Sequence, residues 1–404
     1  MQDTGKRRAV IIEISPGSYN VPPAGYGGSE RSIFGIAKGL NNLIPVLIIN
    51  FGDSFSTGRS EGVPTLTLRN PVRFKNRTGL LFSGINAITS ALSLFSFCIR
   101  NKRRLAPTIL HFHHSIQFVV FWYMEMLFIR SKRVSFVFSC HSPRWMNPDL
   151  IPLWQRLLAI PTELSSMSKS DLLTLESQPV ALGVRRVWTK PLRFVILPNG
   201  VDTKFFDSRR YDGREMEYGV LYAARIKRQK NQIAVVRAFA EVVKAIPQAR
   251  LLLLGSHEEV DYLRSLQFEI GRLGIGQNVT LSPSVSIQKL DEIRATYPIH
   301  LVYSSYTGFD VAVGESLSFG KACVFSDIPP IRGIVRSGFD CMLVQPNNEK
   351  SLATALLFLL HNPNERLRLG VNARKTAERE LSWDILAKRF FYELEPSVHK
   401  LENV

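Results

Sequence analysis

The sequence predicts two α/β domains, each built on a parallel sheet, and three observations carry that expectation. The chain's 404 residues exceed what one hydrophobic core usually organises. Short β-branched runs alternate with longer amphipathic stretches, the signature of strand–helix–strand units. At three places a glycine-bearing or basic turn follows a strand and precedes a helix, where doubly wound sheets bind their ligands.

In the first half, Ala9–Ile14, Pro45–Asn50, Thr108–Phe112, Val134–Ser139 and Phe194–Leu197 read as strands. In the second half the strands are Gly219–Ala223, Arg250–Gly255, Val279–Leu281, Ile299–Tyr303 and Ala322–Ser326. Helical patterns fall at Asn231–Ala245, Glu258–Leu273 and Glu315–Phe319. The charged stretch Asp202–Glu217, with Gly213, suits a linker between domains. Ser382-Trp383-Asp384 reads as an N-cap opening a last helix. Leu80–Ile99 holds twenty uncharged residues between basic clusters, a length sufficient to span a bilayer. Its Ser83, Asn86, Ser90 and Ser93 recur at helical spacing, however, which fits a helix on a core or at a membrane interface.

Composition excludes several classes. Apolar residues are 45% and charged residues 21%, which is globular rather than disordered or fibrous. Cys98, Cys140, Cys323 and Cys341 are too scattered for a disulfide framework, and no Cys-x-x-Cys pair suggests structural zinc. Basic residues near the start precede only a short apolar run, Val10–Ile14, too brief for a signal peptide, so a reducing cytosol is the expected setting. The net charge is +17, and residues 1–200 hold 24 basic against 10 acidic side chains. Such one-sided charge attracts an extended polyanion, either nucleic acid or an anionic membrane surface; a high pI without a partner is the plainer alternative.

Three segments carry candidate chemistry. Ala24-Gly25-Tyr26-Gly27-Gly28-Ser29-Glu30 is a glycine turn ahead of a helix, which lets backbone N–H groups approach an anion or is simply a turn. Arg225 and Lys230 follow the strand Gly219–Ala223, a planar fork and a point charge suited to a diphosphate; Lys227 and Arg228 read as solvated. In Tyr306 to Gly320 a glycine turn precedes Glu315, expected to open a short helix. A carboxylate there either accepts hydrogen bonds from a ribose diol or only complements the helix dipole.

Taken in order, these motifs resemble the GT-B glycosyltransferases, specifically the retaining family 4 enzymes. The resemblance runs over nearly the whole chain. It takes in the first glycine turn, His111-Phe112-His113 at a strand end, His141 after the next strand and Pro198-Asn199-Gly200-Val201-Asp202. Arg225 and Lys230 follow, then Gly308-Phe309 with Glu315, Gly320-Lys321-Ala322, and the helix after Trp383. It implies two Rossmann-like domains facing across a deep cleft. The first is residues 1–200 with the helix 383–404 packed back on it; the second, 201–382, binds a nucleotide sugar.

By the same resemblance, Arg225 and Lys230 match the diphosphate-binding catalytic pair and His113 the histidine contacting the donor sugar. Gly27 and Gly28 match the phosphate-facing turn, Glu315 the ribose-binding glutamate, and Thr307, Gly308, Phe309 and Asp310 the donor loop. His141, Trp122 and Tyr123 are expected on the acceptor side. Thr307 stands where the family carries a carboxylate and Asp310 where it carries a glycine, so donor-sugar contacts are altered. The resemblance implies a hexosyltransferase that retains configuration and needs neither metal nor cofactor; no Asp-x-Asp occurs in the chain.

The acceptor is expected to be a glycan or lipid-linked, used at the cytoplasmic face of an anionic membrane. Basic clusters around Leu80–Ile99 and after Phe118–Ile129 motivate that location. Three rival classes remain. A nucleic-acid-binding protein lacks a zinc module or RNA-recognition signature here. A non-catalytic GT-B scaffold rests on Thr307 and is opposed by Arg225, Lys230 and Glu315. A sugar phosphorylase would need a cofactor lysine and a longer chain.

Overall fold

The computed structural model describes residues 8–16, 21–22, 28–70, 72, 80–101, 107–129, 131, 133–141, 153–188, 191–211, 215–257, 259–304 and 309–403, with backbone alone for 28–29, 80–81 and 153–159. Two compact units emerge, 1–198 with 383–404, and 199–382. The division falls two residues before the expected one, because Asn199 already belongs to the second unit: its side-chain amide donates to the Phe309 carbonyl at 2.8 Å.

The first unit carries strands β1 (Val10–Ile14), β2 (Val46–Gly52), β3 (Ser56–Ser60), β4 (Val63–Arg69), β5 (Thr108–Phe112), β6 (Val134–Cys140), β7 (Leu172–Leu175) and β8 (Phe194–Ile196). They form one sheet in the order β3-β4-β2-β1-β5-β6-β7-β8. Every pairing is parallel except the β3–β4 hairpin. That hairpin turns at Glu61 and Gly62, both at positive φ, the backbone that matches strand twist. Pattern alone misses it because β3, Ser-Thr-Gly-Arg-Ser, is an exposed edge without an apolar face. It misses β7 because four residues are too few to show a period.

Helices α1 (Gly28–Leu40), α2 (Leu80–Arg100), α3 (Ser115–Met124), α4 (Leu153–Lys169) and α5 (Gln178–Val187) cover the sheet. The last helix, Trp383–Glu402, lies on α1. Gly35 and Gly39, one turn apart, make that approach possible, since a Cβ on the first would strike the Trp383 ring and on the second the Ala387 methyl. Phe390 and Leu394 of the last helix are wholly buried in the same core, each contributing about 1.5–3 kcal/mol.

By length and composition, Phe82–Arg100 of α2 is apolar enough to cross a membrane. Its polar stripe settles its packing. Asn86 and Ser90 are buried and Gln117 of α3 donates to Ser90 Oγ at 2.8 Å, so one face belongs to the core. The opposite face leaves Ile88, Leu92 and Ile99 exposed.

The second unit is a six-stranded, all-parallel sheet of β9 (Gly219–Ala223), β10 (Arg250–Leu254), β11 (Val279–Ser282), β12 (Ile299–Val302), β13 (Ala322–Ser326) and β14 (Met342–Val344), ordered β11-β10-β9-β12-β13-β14. Its helices are α6 (Gln232–Ala245), α7 (Val260–Arg272), α8 (Ile287–Thr296), α9 (Val311–Ser318), α10 (Pro329–Arg332), α11 (Glu349–His361) and α12 (Pro363–Thr376).

Two expectations are corrected here. The described part of 202–217 is no linker: Phe206 is buried with Phe319, and Arg374 donates to the Thr203 and Phe206 carbonyls at 2.7 and 2.8 Å. Some of its charges pair within the unit, as Asp207 does with Arg209 and Arg374. Glu315 does not open its helix either. Asp310 caps α9, accepting from the Ala312 N–H, and Glu315 lies in the second turn.

Candidate functional site

In the second unit the site forms where β9 and β12 end. The Tyr222 hydroxyl lies 2.7 Å from the Lys230 carbonyl and 2.9 Å from the Tyr303 carbonyl, tying the two strand ends together. The Gln232 amide donates to the Arg225 carbonyl at 2.9 Å, and Ser304 Oγ to the Gln229 carbonyl at 3.0 Å. Gly255 adds room, since a Cβ there would meet the Ala224 carbonyl. The basic loop is therefore held in place through its backbone carbonyls.

Lys230 Nζ is ion-paired with Asp310. Burial pushes the Asp310 carboxyl up, but Lys230 and, more weakly, Arg225 outweigh it and hold the group below the usual range. Arg225, Lys230 and the N-terminus of α9 thus share one electrostatic neighbourhood. Two cations beside a helix start form an anion site, and Asp310 is the anion there now. Phe309 contributes by packing, because its ring is core with Val201 and Phe206.

Glu315 is buried and paired with Arg294, which also reaches Asp291 at 3.2 Å and lies over the Phe206 and Phe319 rings at 5.4 and 5.8 Å. Its carboxylate is accordingly engaged with the protein. Gly27, Thr307 and Gly308 lie outside the described residues; Gly28 is the first residue of α1.

The first unit gathers a second constellation at the carboxyl ends of its strands. Parallel register sets Glu13 of β1 beside His111 of β5, and Ser139 of β6 beside Thr174 of β7. Glu13 is wholly buried, 3.0 Å from His111 Nδ1 and 2.9 Å from His113 Nε2. His113 Nδ1 lies 3.2 Å from His141 Nε2, and the two rings stack with centroids 5.5 Å apart. Burial lowers His113 to about 4 and His141 to about 3, so both are neutral at pH 7. Burial raises Glu13, but His111 and His113 outweigh it and bring the carboxyl to about 2. Glu13, His111 and His113 offer ligand atoms within 4.8 Å of one another, yet each of these atoms is already hydrogen-bonded inside the cluster.

His113 and His141 thus come together as expected of neighbouring strand ends, but Trp122 and Tyr123 do not join them. Those rings sit beneath Lys169, whose Nζ lies 4.7 and 5.3 Å from their centroids. Lys169 ends α4 just before β7 begins, so this cluster marks the amino ends of the strands, the opposite edge of the sheet. The direction of α3, roughly 10 Å long between Ser115 and Trp122, carries them away. Sequence reasoning missed Glu13, Ser139 and Thr174; their one signal is a polar residue inside an otherwise apolar buried strand.

Comparison with known proteins follows the same division. A family model described as glycosyl transferases group 1 matches residues 204–376, and one described as glycosyltransferase family 4 matches 26–205. The MMP alpha-(1->4)-mannosyltransferase of Mycolicibacterium hassiacum is 26% identical over 245 residues, covering 60% of this chain and 58% of that protein. The GDP-mannose:cellobiosyl-diphosphopolyprenol alpha-mannosyltransferase of Xanthomonas campestris is 26% identical over 189 residues, 46% of this chain and 47% of that one. The chain therefore spans about half the length of these curated relatives. Among solved structures, sucrose-phosphate synthase from Thermosynechococcus elongatus superposes with a TM-score of 0.77 at 18% identity, covering 97% of this chain and 100% of that one. At that identity the likeness concerns the fold, two Rossmann-like units of the GT-B kind.

Proposed function

This chain belongs to the GT-B glycosyltransferases of group 1 and family 4, and from that premise we propose that it transfers a hexose from a nucleoside-diphosphate sugar to a lipid-linked acceptor, with retention and without a metal. The observation that carries this is the convergence of Arg225 and Lys230 on the capped start of α9. Breaking an anomeric bond leaves a diphosphate with growing negative charge. Cations already held in place meet that charge without rearranging, usually the largest catalytic contribution. With its charge met by side chains, the leaving diphosphate can draw the proton from the incoming hydroxyl on the same face, the route to retention. Asp310 yields Lys230 when the diphosphate arrives. GDP-mannose is the first donor to test, since the Xanthomonas relative's name specifies it.

The lipid acceptor and the membrane draw support from the amino edge of the first sheet. There α2 meets the π-helical turn Glu125–Ile129, where Leu127 and Phe128 are 67% and 68% exposed. Phe95 and Phe128 rings at 5.8 Å join the two, and Trp122, Tyr123 and Lys169 border them. Apolar side chains, aromatic rings and basic groups in one band suit an anionic interface. Incubating the chain with GDP-mannose or UDP-glucose and polyprenyl-diphosphate acceptors tests the activity. Lipid-borne sugar that survives EDTA supports it, whereas turnover abolished by EDTA and restored by added metal refutes the metal-free mechanism.

A further inference from the structure

A hydrogen-bonded chain crosses the first sheet at its carboxyl edge. Thr174 Oγ1 and Ser139 Oγ lie 2.5 Å apart, Ser139 Oγ lies 2.7 Å from His111 Nε2, and His111 Nδ1 faces Glu13. Beyond Glu13 the chain continues through His113 to His141. Four strands and two strand ends supply it, and five of its six members are nearly or wholly enclosed. Buried polar groups on this scale persist when each has its partner.

The proton positions follow from the chemistry of its centre. An ionised carboxylate only accepts, so His113 must donate its Nε2–H to Glu13. A neutral His113 then has a bare Nδ1, which must accept from His141. His141 spends its Nε2–H on that bond and is left with a bare Nδ1 of its own. Among the described residues no group is bonded to that atom. His111 donates to Glu13 from Nδ1 in either charge state. Both nitrogens of His113 are consumed in this way, so the ring that offers an atom outward is His141.

We infer that Glu13 is a positioning residue: through His113 it fixes the tautomer of His141, which presents an unprotonated Nδ1 to accept a hydrogen bond from a sugar hydroxyl. The inference rests on the reading that a nucleotide sugar is the substrate. It moves the sugar contact one ring outward from His113, the position indicated by resemblance. The neutrality of both rings, which burial enforces, is what makes the tautomers determinate. Glu13 never touches the substrate; its effect is the direction in which two imidazoles point their protons.

The test reads the tautomers directly, on the full chain with ¹⁵N-labelled histidine. At pH 7, NMR should report His113 and His141 both protonated at Nε2 and bare at Nδ1. In Glu13→Gln the amide both donates and accepts, so the single-tautomer pattern should be lost. Turnover of the nucleotide sugar should fall by about 10–100-fold, while affinity for the free nucleotide stays unchanged. A His141 protonated at Nδ1, an imidazolium at pH 7, stoichiometric zinc by elemental analysis, or full activity in Glu13→Gln would each overturn the inference. If the wild-type chain turns over no nucleotide sugar, the substrate reading fails, yet the NMR pattern still decides whether Glu13 sets the tautomers.

Discussion

Asp310→Asn should tighten binding of a free nucleoside diphosphate. The Asp310 carboxylate sits on Lys230, with side chains 23% and 13% exposed, and both Lys230 and Arg225 depress its pKa. A diphosphate must replace this anion before Lys230 can serve it. A charge-assisted hydrogen bond is worth about 1.5–3 kcal/mol net, so removing the competitor should improve affinity by roughly tenfold to a hundredfold. Asparagine keeps an acceptor for the Ala312 N–H and so keeps the cap on α9. Unpairing Lys230 should at the same time lower thermal stability, because the largely enclosed ammonium then loses its counter-ion. Titration calorimetry with GDP and UDP measures the first effect and a melting curve the second. Unchanged or weaker nucleotide affinity, with the fold intact, would refute the idea that Asp310 holds the phosphate site.

Glu315→Ala leaves the enclosed Arg294 with Asp291 as its remaining carboxylate partner among the described residues, which should destabilise the second unit by about 3 kcal/mol; denaturant unfolding checks this, and a loss within error would show that the pair is not structural. Acidification should weaken the first unit. His113 and His141 titrate at about 4 and about 3 when folded against 6.5 when exposed. The unfolded chain therefore takes up protons first, and stability falls as pH drops below 6.5 by about 1.4 kcal/mol per unit for each ring. Glu13 adds to the loss below 4.5. Melting curves between pH 7 and 4 should flatten in His113→Asn/His141→Asn, and an unaltered slope would argue that neither ring is buried neutral. Leu127→Ser/Phe128→Ser should reduce flotation with anionic vesicles while sparing nucleotide affinity; wild-type chain that floats equally with neutral and anionic vesicles would end the membrane assignment.

Much of this architecture was legible because parallel strands are buried on both faces and read as apolar runs. β5, β9 and β13 fall at their expected bounds, Thr108–Phe112, Gly219–Ala223 and Ala322–Ser326. Among the strands that escaped, β3 is polar and exposed and β7 and β14 are only a few residues long, whereas β4 does bury Val63, Leu66 and Leu68 and was overlooked with its hairpin partner. The start of α9 was misplaced because Asp310 reads as a departure from a glycine, whereas in the fold it is the N-cap. Arg225 and Lys230 were found from their position after a strand. Their partner was not, since Asp310 lies 80 residues beyond Lys230 and only the β9–β12 pairing brings them together. The same holds for Glu13 and His113, 100 residues apart. Trp122 and Tyr123 lie close to His113 in sequence, but α3 runs back along the sheet and sets their rings beside Lys169 instead.

Release of nucleoside diphosphate from a nucleotide sugar, in the presence of a polyprenyl-diphosphate acceptor, tests the central claim most directly when wild type is compared with Arg225→Ala and Lys230→Ala. Each variant removes one cation from the leaving group and should lower the rate about 10²–10³-fold with its melting temperature nearly unchanged. Folded variants that release diphosphate as fast as wild type would contradict the account.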